Sequence, residues 1–143
     1  MTPFSLKQID HVVLRIRDLE KTLAFYTDVI GCKVEKRQDA IGLIQLRAGA
    51  SLIDLVPIDG PLGKIGGGPP GKEARNVDHF ALQVTPFDEA AIRVHLTRHG
   101  VPVSESGMRY GAEGTGPSVY VTDPDGNTVE LKGPVGSRAT TGP

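Results

Sequence analysis

The sequence predicts an α+β protein built from two βαβββ modules, and two observations carry that expectation. The segment IDHVVLRI at 9–16 returns as VDHFALQV at 77–84, an offset of 68 residues. Each copy is followed by a run with helical spacing of apolar residues and then by three short β-type runs. Alternation at two residues marks the strands, and recurrence at three and four marks the helices.

In chain order, the first strand is 9–16. The helix after it spans 18–30, DLEKTLAFYTDVI, with Leu19, Leu23, Tyr26 and Ile30 at helical spacing and Gly31 as its left-handed stop. Three strands follow, CKVEKRQ, IGLIQLRA and SLIDLVP. Residues 58–76, IDGPLGKIGGGPPGKEARN, are rich in Gly and Pro and show no hydrophobic period, which predicts a linker or mobile loop. The second module carries a helix over 86–99, PFDEAAIRVHLTRH, ending at Gly100, and then the strands VPVSES, PSVYVTD and TVELKG. SESGMRYGAEGTG (104–116) is expected as a Gly-rich loop, and TDPDGN (122–127) as a tight turn with Gly126 at positive φ. The expected division is a first module at 1–58, a linker at 59–76, a second module at 77–134 and a disordered tail at 135–143.

Composition removes several function classes. The 143 residues carry 16 Lys and Arg against 17 Asp and Glu, a net charge of −1, and the two signs are interspersed. Without a basic stripe, neither nucleic acid nor an anionic membrane surface is an expected partner. The apolar runs are too short to span a bilayer, and MTPFSLKQIDH lacks the basic-then-apolar layout of a signal peptide. A single cysteine, Cys32, precludes an internal disulfide framework and fits a reducing compartment, so a cytoplasmic protein is expected.

Strand alternation points to the chemistry. Residues two apart share a face. His11 therefore lies with Ile9, Val13 and Arg15, and His79 with Val77, Ala81 and Gln83, opposite wholly apolar faces. Each histidine follows an acid, and each module's last strand brings one acid to its polar face: Asp54 with Leu52 and Val56, and Glu130 with Thr128 and Lys132. Two imidazoles and two carboxylates, one pair per repeat, make an N₂O₂ donor set suited to Zn, Ni, Mn or Fe as the divalent ion. Tyr120 shares a face with Ser118 and Thr122 and is a candidate hydrogen-bond donor beside the site. Arg15, Gln83 and Arg109 are candidates to contact a small-molecule substrate. Gln45 and Arg47 are further candidates, expected on opposite faces of their strand. GGGPPGKE (66–73) imitates a phosphate loop only in part, since Glu73 stands where Ser or Thr is required and a strand follows. His95 and His99 lie one helical turn apart without the Glu of a zinc-protease motif, and Cys32 is expected as a buried thiol.

With these residues in view, the chain resembles the vicinal oxygen chelate superfamily, also called the glyoxalase/bleomycin-resistance/dioxygenase superfamily. The resemblance runs from about Leu6 to Gly133 and rests on IDHVVLRIRDLEKTLAFYTDVIGCKV, VDHFALQV and PSVYVTDPDGNTVELK. It implies two modules forming a curved mixed sheet around a central cavity, usually in a homodimer. His11, His79 and Glu130 match the superfamily's commonest metal ligands. Asp54 stands where four-ligand members typically have Glu, and its shorter side chain leaves open whether it ligates, acts through water or serves as a base. The implied function is a metal-dependent lyase or isomerase that stabilises an enediolate-type intermediate on a small oxygenated substrate. Glu130 or Asp54 would then move the proton. The alternatives are an Fe(II) ring-cleaving dioxygenase, in which Tyr120 assists, a metal-free drug-binding protein like the bleomycin-sequestering members, and a thiol transferase similar to fosfomycin-resistance proteins.

Overall fold

The computed structural model describes residues 1–138, and the part of the expected tail at 139–143 lies outside the described residues. The chain forms two compact units, Met1–Pro70 and Gly71–Pro143, with the boundary inside the 59–76 segment. Each unit holds one four-stranded mixed sheet.

In the first unit β1 (His11–Ile16) is followed by α1 (Leu19–Ala24), β2 (Lys33–Gln38), β3 (Leu43–Ala48) and β4 (Ser51–Pro57). The sheet order is β1-β4-β3-β2, with β1 parallel to β4 and the other pairs antiparallel. Asp18 starts the helix by accepting the Lys21 amide at 3.0 Å, which satisfies one of the free N–H groups of the first turn. The helix is shorter than its 18–30 period suggests. After Ala24 it widens into a π-helical turn over Phe25–Val29, and Gly31 takes φ 93° beyond it. That turn seats the Phe25 and Tyr26 rings edge to face at 5.0 Å. The expected apolar face is realised: Leu14, Ile16, Ile44, Leu46, Ile53 and Leu55 are buried.

The second unit repeats the plan with β5 (His79–Gln83), α2 (Glu89–Arg98), β6 (Glu105–Gly111), β7 (Gly114–Thr122) and β8 (Thr128–Lys132), in sheet order β5-β8-β7-β6. Asp88 caps α2 through the Ala91 amide at 3.0 Å, as Asp18 caps α1. Val119, Val121, Val129 and Leu96 are buried on the apolar side. In the 122–127 turn the Asp123 carboxylate accepts the amides of Asp125 and Asn127, at 2.9 and 2.8 Å, and Gly126 has φ 87°.

One loop expectation is overturned, and local order is found within another segment. Residues 104–116 do not form a Gly-rich loop: β6 and β7 make a hairpin across them, turning at Ala112 and Glu113. VPVSES accordingly supplies only the start of a strand. Glycines weaken strands because they leave nothing to pack, yet here long side chains from neighbouring positions fill the space above Gly107 and Gly111. The 58–76 segment is not a featureless linker. A 3₁₀ turn over Gly63–Gly66 folds back on the end of β4, and the Arg15 guanidinium ties it down. Arg15 Nη1 donates to the Gly68 carbonyl at 2.9 Å, and Nη2 donates to those of Gly63 and Gly67 at 2.9 and 2.7 Å. Among the described residues no helix is long and apolar enough to cross a membrane.

Candidate metal centre

Register places the candidate residues of the second unit on one sheet face. His79 pairs with Thr128, and Glu130 stands between Ala81 on β5 and Tyr120 on β7. His79 Nε2 lies 3.5 Å from Glu130 Oε2. The other ring nitrogen, Nδ1, lies 2.6 Å from the Asp78 carboxylate. An ionised carboxylate only accepts, so Nδ1 donates its proton to Asp78, and Nε2 is the ring nitrogen that faces Glu130. This bond to His79 holds the Asp78 carboxyl below its ordinary range. Glu130 is buried at 5% exposure, and its Oε1 accepts the Ser118 hydroxyl at 2.6 Å. That leaves Oε2 as the oxygen facing the imidazole.

Tyr120 packs its ring edgewise on His79 with centroids 6.1 Å apart, and the Arg109 guanidinium lies 5.6 Å from the Tyr120 centroid. Burial and then the adjacent Glu130 charge push the phenol of Tyr120 upward, so it is a donor at neutral pH. Arg109 sits on strand β6, not in a loop, and is paired with Glu105. Hydrogen bonding to Tyr120 is the chief cause that raises its already high pKa further.

The first unit builds a matching pair differently. His11 Nδ1 meets Asp10 at 2.7 Å, which raises the imidazole pKa above its ordinary value, and the Asp54 charge adds to the effect. Asp54 is 3% exposed and receives the Gln45 amide at 3.3 and 3.5 Å, while Gln38 donates to Gln45 at 3.4 Å. Gln45 and Arg47, expected on opposite faces, share one, as residues two apart in a strand do. Gln45 stands opposite Asp54, and Arg47 stands opposite Leu52 and is bound to Glu35. Gln83 lies exposed beside Lys132 on the polar face of β5.

The residues brought together are therefore His79 with Glu130 and Tyr120 in one unit, and His11 with Asp54 in the other. Among the described residues no three His, Cys, Asp or Glu side chains gather as a metal-holding group. Ligands at about 2.0–2.2 Å on a tetrahedral ion stand about 3.4 Å apart, so the 3.5 Å gap between Nε2 and Oε2 suits a shared ion. Sequence reading assigned no role to Asp10, Asp78 or Ser118, and took Gln45 for a substrate contact rather than the partner of Asp54. The repeated Asp-His pair was the available signal for the first two. The others needed the register of β3 on β4 and of β7 on β8.

Residues 8–131 match the sequence pattern of the Glyoxalase/Bleomycin resistance protein/Dioxygenase superfamily, and the chain belongs to that superfamily. It is similar to a catechol-2,3-dioxygenase of Bacillus subtilis, 29% identical over 86% of this chain; the chain spans 40% of that protein's length. It is 30% identical to virulence protein STM3117 of Salmonella typhimurium, over 88% of this chain and 83% of that protein. The crystal structure of STM3117 superposes with a TM-score of 0.76 at 25% identity, covering 92% of this chain and 100% of that one. The lactoylglutathione lyase of Agrobacterium tumefaciens shares the fold with a TM-score of 0.63 at 24% identity, covering 92% of this chain and 96% of that one.

Proposed function

We propose that the chain is a divalent-metal-dependent enzyme, a lyase or isomerase acting on a small substrate with oxygens on neighbouring carbons. The observation that carries this reading is the repeated pair of imidazole and buried carboxylate, one per module. In the second module the two groups stand 3.5 Å apart, with Nε2 of the imidazole facing Oε2 of the acid. His11, Asp54, His79 and Glu130 are the ligand set, one imidazole and one carboxylate from each module, and the chain works as a homodimer. A bound Zn, Ni, Mn or Fe ion would polarise the substrate oxygens.

The protein groups supply the rest. Asp10 and Asp78 hold the imidazoles with Nε2 outward, the carboxylate–histidine arrangement that orients metal ligands. Ser118 occupies Glu130 Oε1, and Oε2, which faces His79, is the atom to ligate or to carry a proton between neighbouring carbons. Asp54, shortened by one methylene and held by Gln45, serves as ligand or base on the other side. Tyr120 donates from its phenol to charge developing on a substrate oxygen. Gln83 and Arg109 border the substrate in the second module, and in the first module Arg15 holds the carbonyls of Gly63, Gly67 and Gly68 in place.

A second reading, an Fe(II) ring-cleaving dioxygenase, is favoured by the similarity to the Bacillus subtilis enzyme. Elemental analysis of protein purified without chelator separates the two. Nickel or zinc at one ion per subunit is expected for a lyase or isomerase, whereas iron with catechol turnover identifies the dioxygenase. His79→Ala is expected to abolish stoichiometric metal in either case, and unaltered metal content in that variant would refute the ligand assignment.

A further inference from the structure

The polar face of the second unit runs into a patch of bare backbone. Gly107 stands opposite Ser118 and Gly111 opposite Gly114, on the face that carries Glu130 and Lys132. The Lys132 side chain lies across this patch. A Cβ at Gly111 would meet Lys132 Cε at 2.6 Å, and one at Gly116 would meet Nζ at 3.0 Å. These glycines leave a channel that the lysine occupies.

Lys132 is 7% exposed, and its ammonium makes no hydrogen bond or ion pair to a described residue. The carbonyl oxygens of Gly133 and Pro134 border the same space, at 2.6 and 3.0 Å from the position a Gly116 Cβ would take. They offer dipoles but no charge. Glu130, two residues back and about 7 Å along the strand, has Oε1 bonded to Ser118 and Oε2 facing His79. Arg109, the other cation on this face, is already paired with Glu105. The stem of Lys132 fills the channel while Nζ keeps contact with solvent, and a methionine would fill the same space without presenting a charge. The charge is therefore placed for something that arrives.

We propose that Lys132 binds an oxyanion, a carboxylate or phosphate-type group, carried by the molecule that reacts at Glu130. The assignment rests on reading Glu130 as part of the reaction site, and it narrows the substrate to small acids or phosphorylated compounds. An ammonium is a point charge with three donors and accepts either oxyanion.

The test is a titration of the protein as purified with inorganic phosphate and, separately, with acetate, read from the backbone amide shifts of Gly111 and Gly116. Saturable shifts at both glycines are expected with at least one probe, and which one distinguishes phosphate from carboxylate. Lys132→Met is expected to weaken that binding at least tenfold with an unchanged far-UV spectrum. No saturable shift in the wild type, or the same affinity in Lys132→Met, overturns the proposal. If Lys132→Met does not fold, Gly111→Ala gives the same test, because its Cβ takes the place of Lys132 Cε. Metal content is measured in parallel. Normal metal in Lys132→Met with no loss of anion binding sinks the oxyanion site alone, whereas metal retained in His79→Ala sinks the reading of the metal centre.

Discussion

The two modules share a plan and spend their charged groups differently. In the first, the cation on the polar face of β1 is Arg15, and three backbone carbonyls of the 63–68 segment take up its guanidinium. Val56 then occupies the strand position corresponding to Lys132. In the second, Gln83 stands where Arg15 would, and the cation has moved to Lys132, which makes no hydrogen bond or ion pair among the described residues. The acids differ in the same sense. Asp54 receives two long bonds from an amide, and Glu130 receives one short bond from a hydroxyl. The first module bonds its cation to its own loop, and the second keeps a carboxylate oxygen facing an imidazole and an ammonium without a described partner. A duplication can thus keep its fold while its two copies partner their charged groups differently.

Four substitutions or conditions test that contrast. The largest effect is expected for Gly63→Ala, whose Cβ would stand 1.8 Å from the Pro57 carbonyl oxygen. Backbone must move to admit it, so urea denaturation is expected to show a loss of about 3 kcal/mol. No loss would mean that the 63–66 turn does not pack on β4 as described.

Next is Ser118→Ala against Gln45→Ala. Removing the hydroxyl leaves a buried carboxylate short of a donor, at about 1.5–3 kcal/mol. The 3.3–3.5 Å amide bonds to Asp54 are weaker, and about 0.5–1 kcal/mol is expected there. Equal losses would erase the asymmetry between the acids.

Gly66→Ala should cost about 1–2 kcal/mol, because its Cβ would meet Arg15 Nε at 2.3 Å. In an Arg15→Ala background the same change is expected to cost little, a coupling that a double-mutant cycle measures directly. Additive losses would show that the arginine does not hold the loop.

The smallest effect is a pH dependence in the first module. Burial pushes the Cys32 thiol up to about 11 from its ordinary 9.0. The unfolded chain therefore loses its thiol proton first as pH rises. The stabilisation is complete below pH 9 and disappears between 9 and about 11, on the order of 1–2 kcal/mol. Cys32→Ala should flatten unfolding free energies measured across that window, and an unchanged slope would rule out the buried thiol as its source.

Much of this arrangement was legible before any coordinates. The echo of IDHVVLRI in VDHFALQV announced the duplication, and period-two alternation set His11, His79, Asp54 and Glu130 on polar faces, where register now places them. Asp18 and Asp88, standing before apolar periods, became the helix caps. What escaped were features whose cause is a neighbour from elsewhere in the chain. The 104–116 run looked like a loop because its glycines have no strand preference of their own. Lys132 and Arg109 lying over them restore the missing packing. The 58–76 run looked mobile because an arginine more than forty residues away supplies its order. Arg109 falls within the 104–116 run, so it lies on β6 rather than in a loop.

The sequence by itself determined the repeat, the two-faced strands and the imidazole and carboxylate that each module sets on its polar face, because side-chain direction in a strand depends only on residue parity. Only the tertiary structure decided which cation is bound into the scaffold and which is left without a described partner. Neutralisation depends on what lies within a few ångströms in space, and the partners of Arg15 and the channel of Lys132 come from distant segments and adjoining strands.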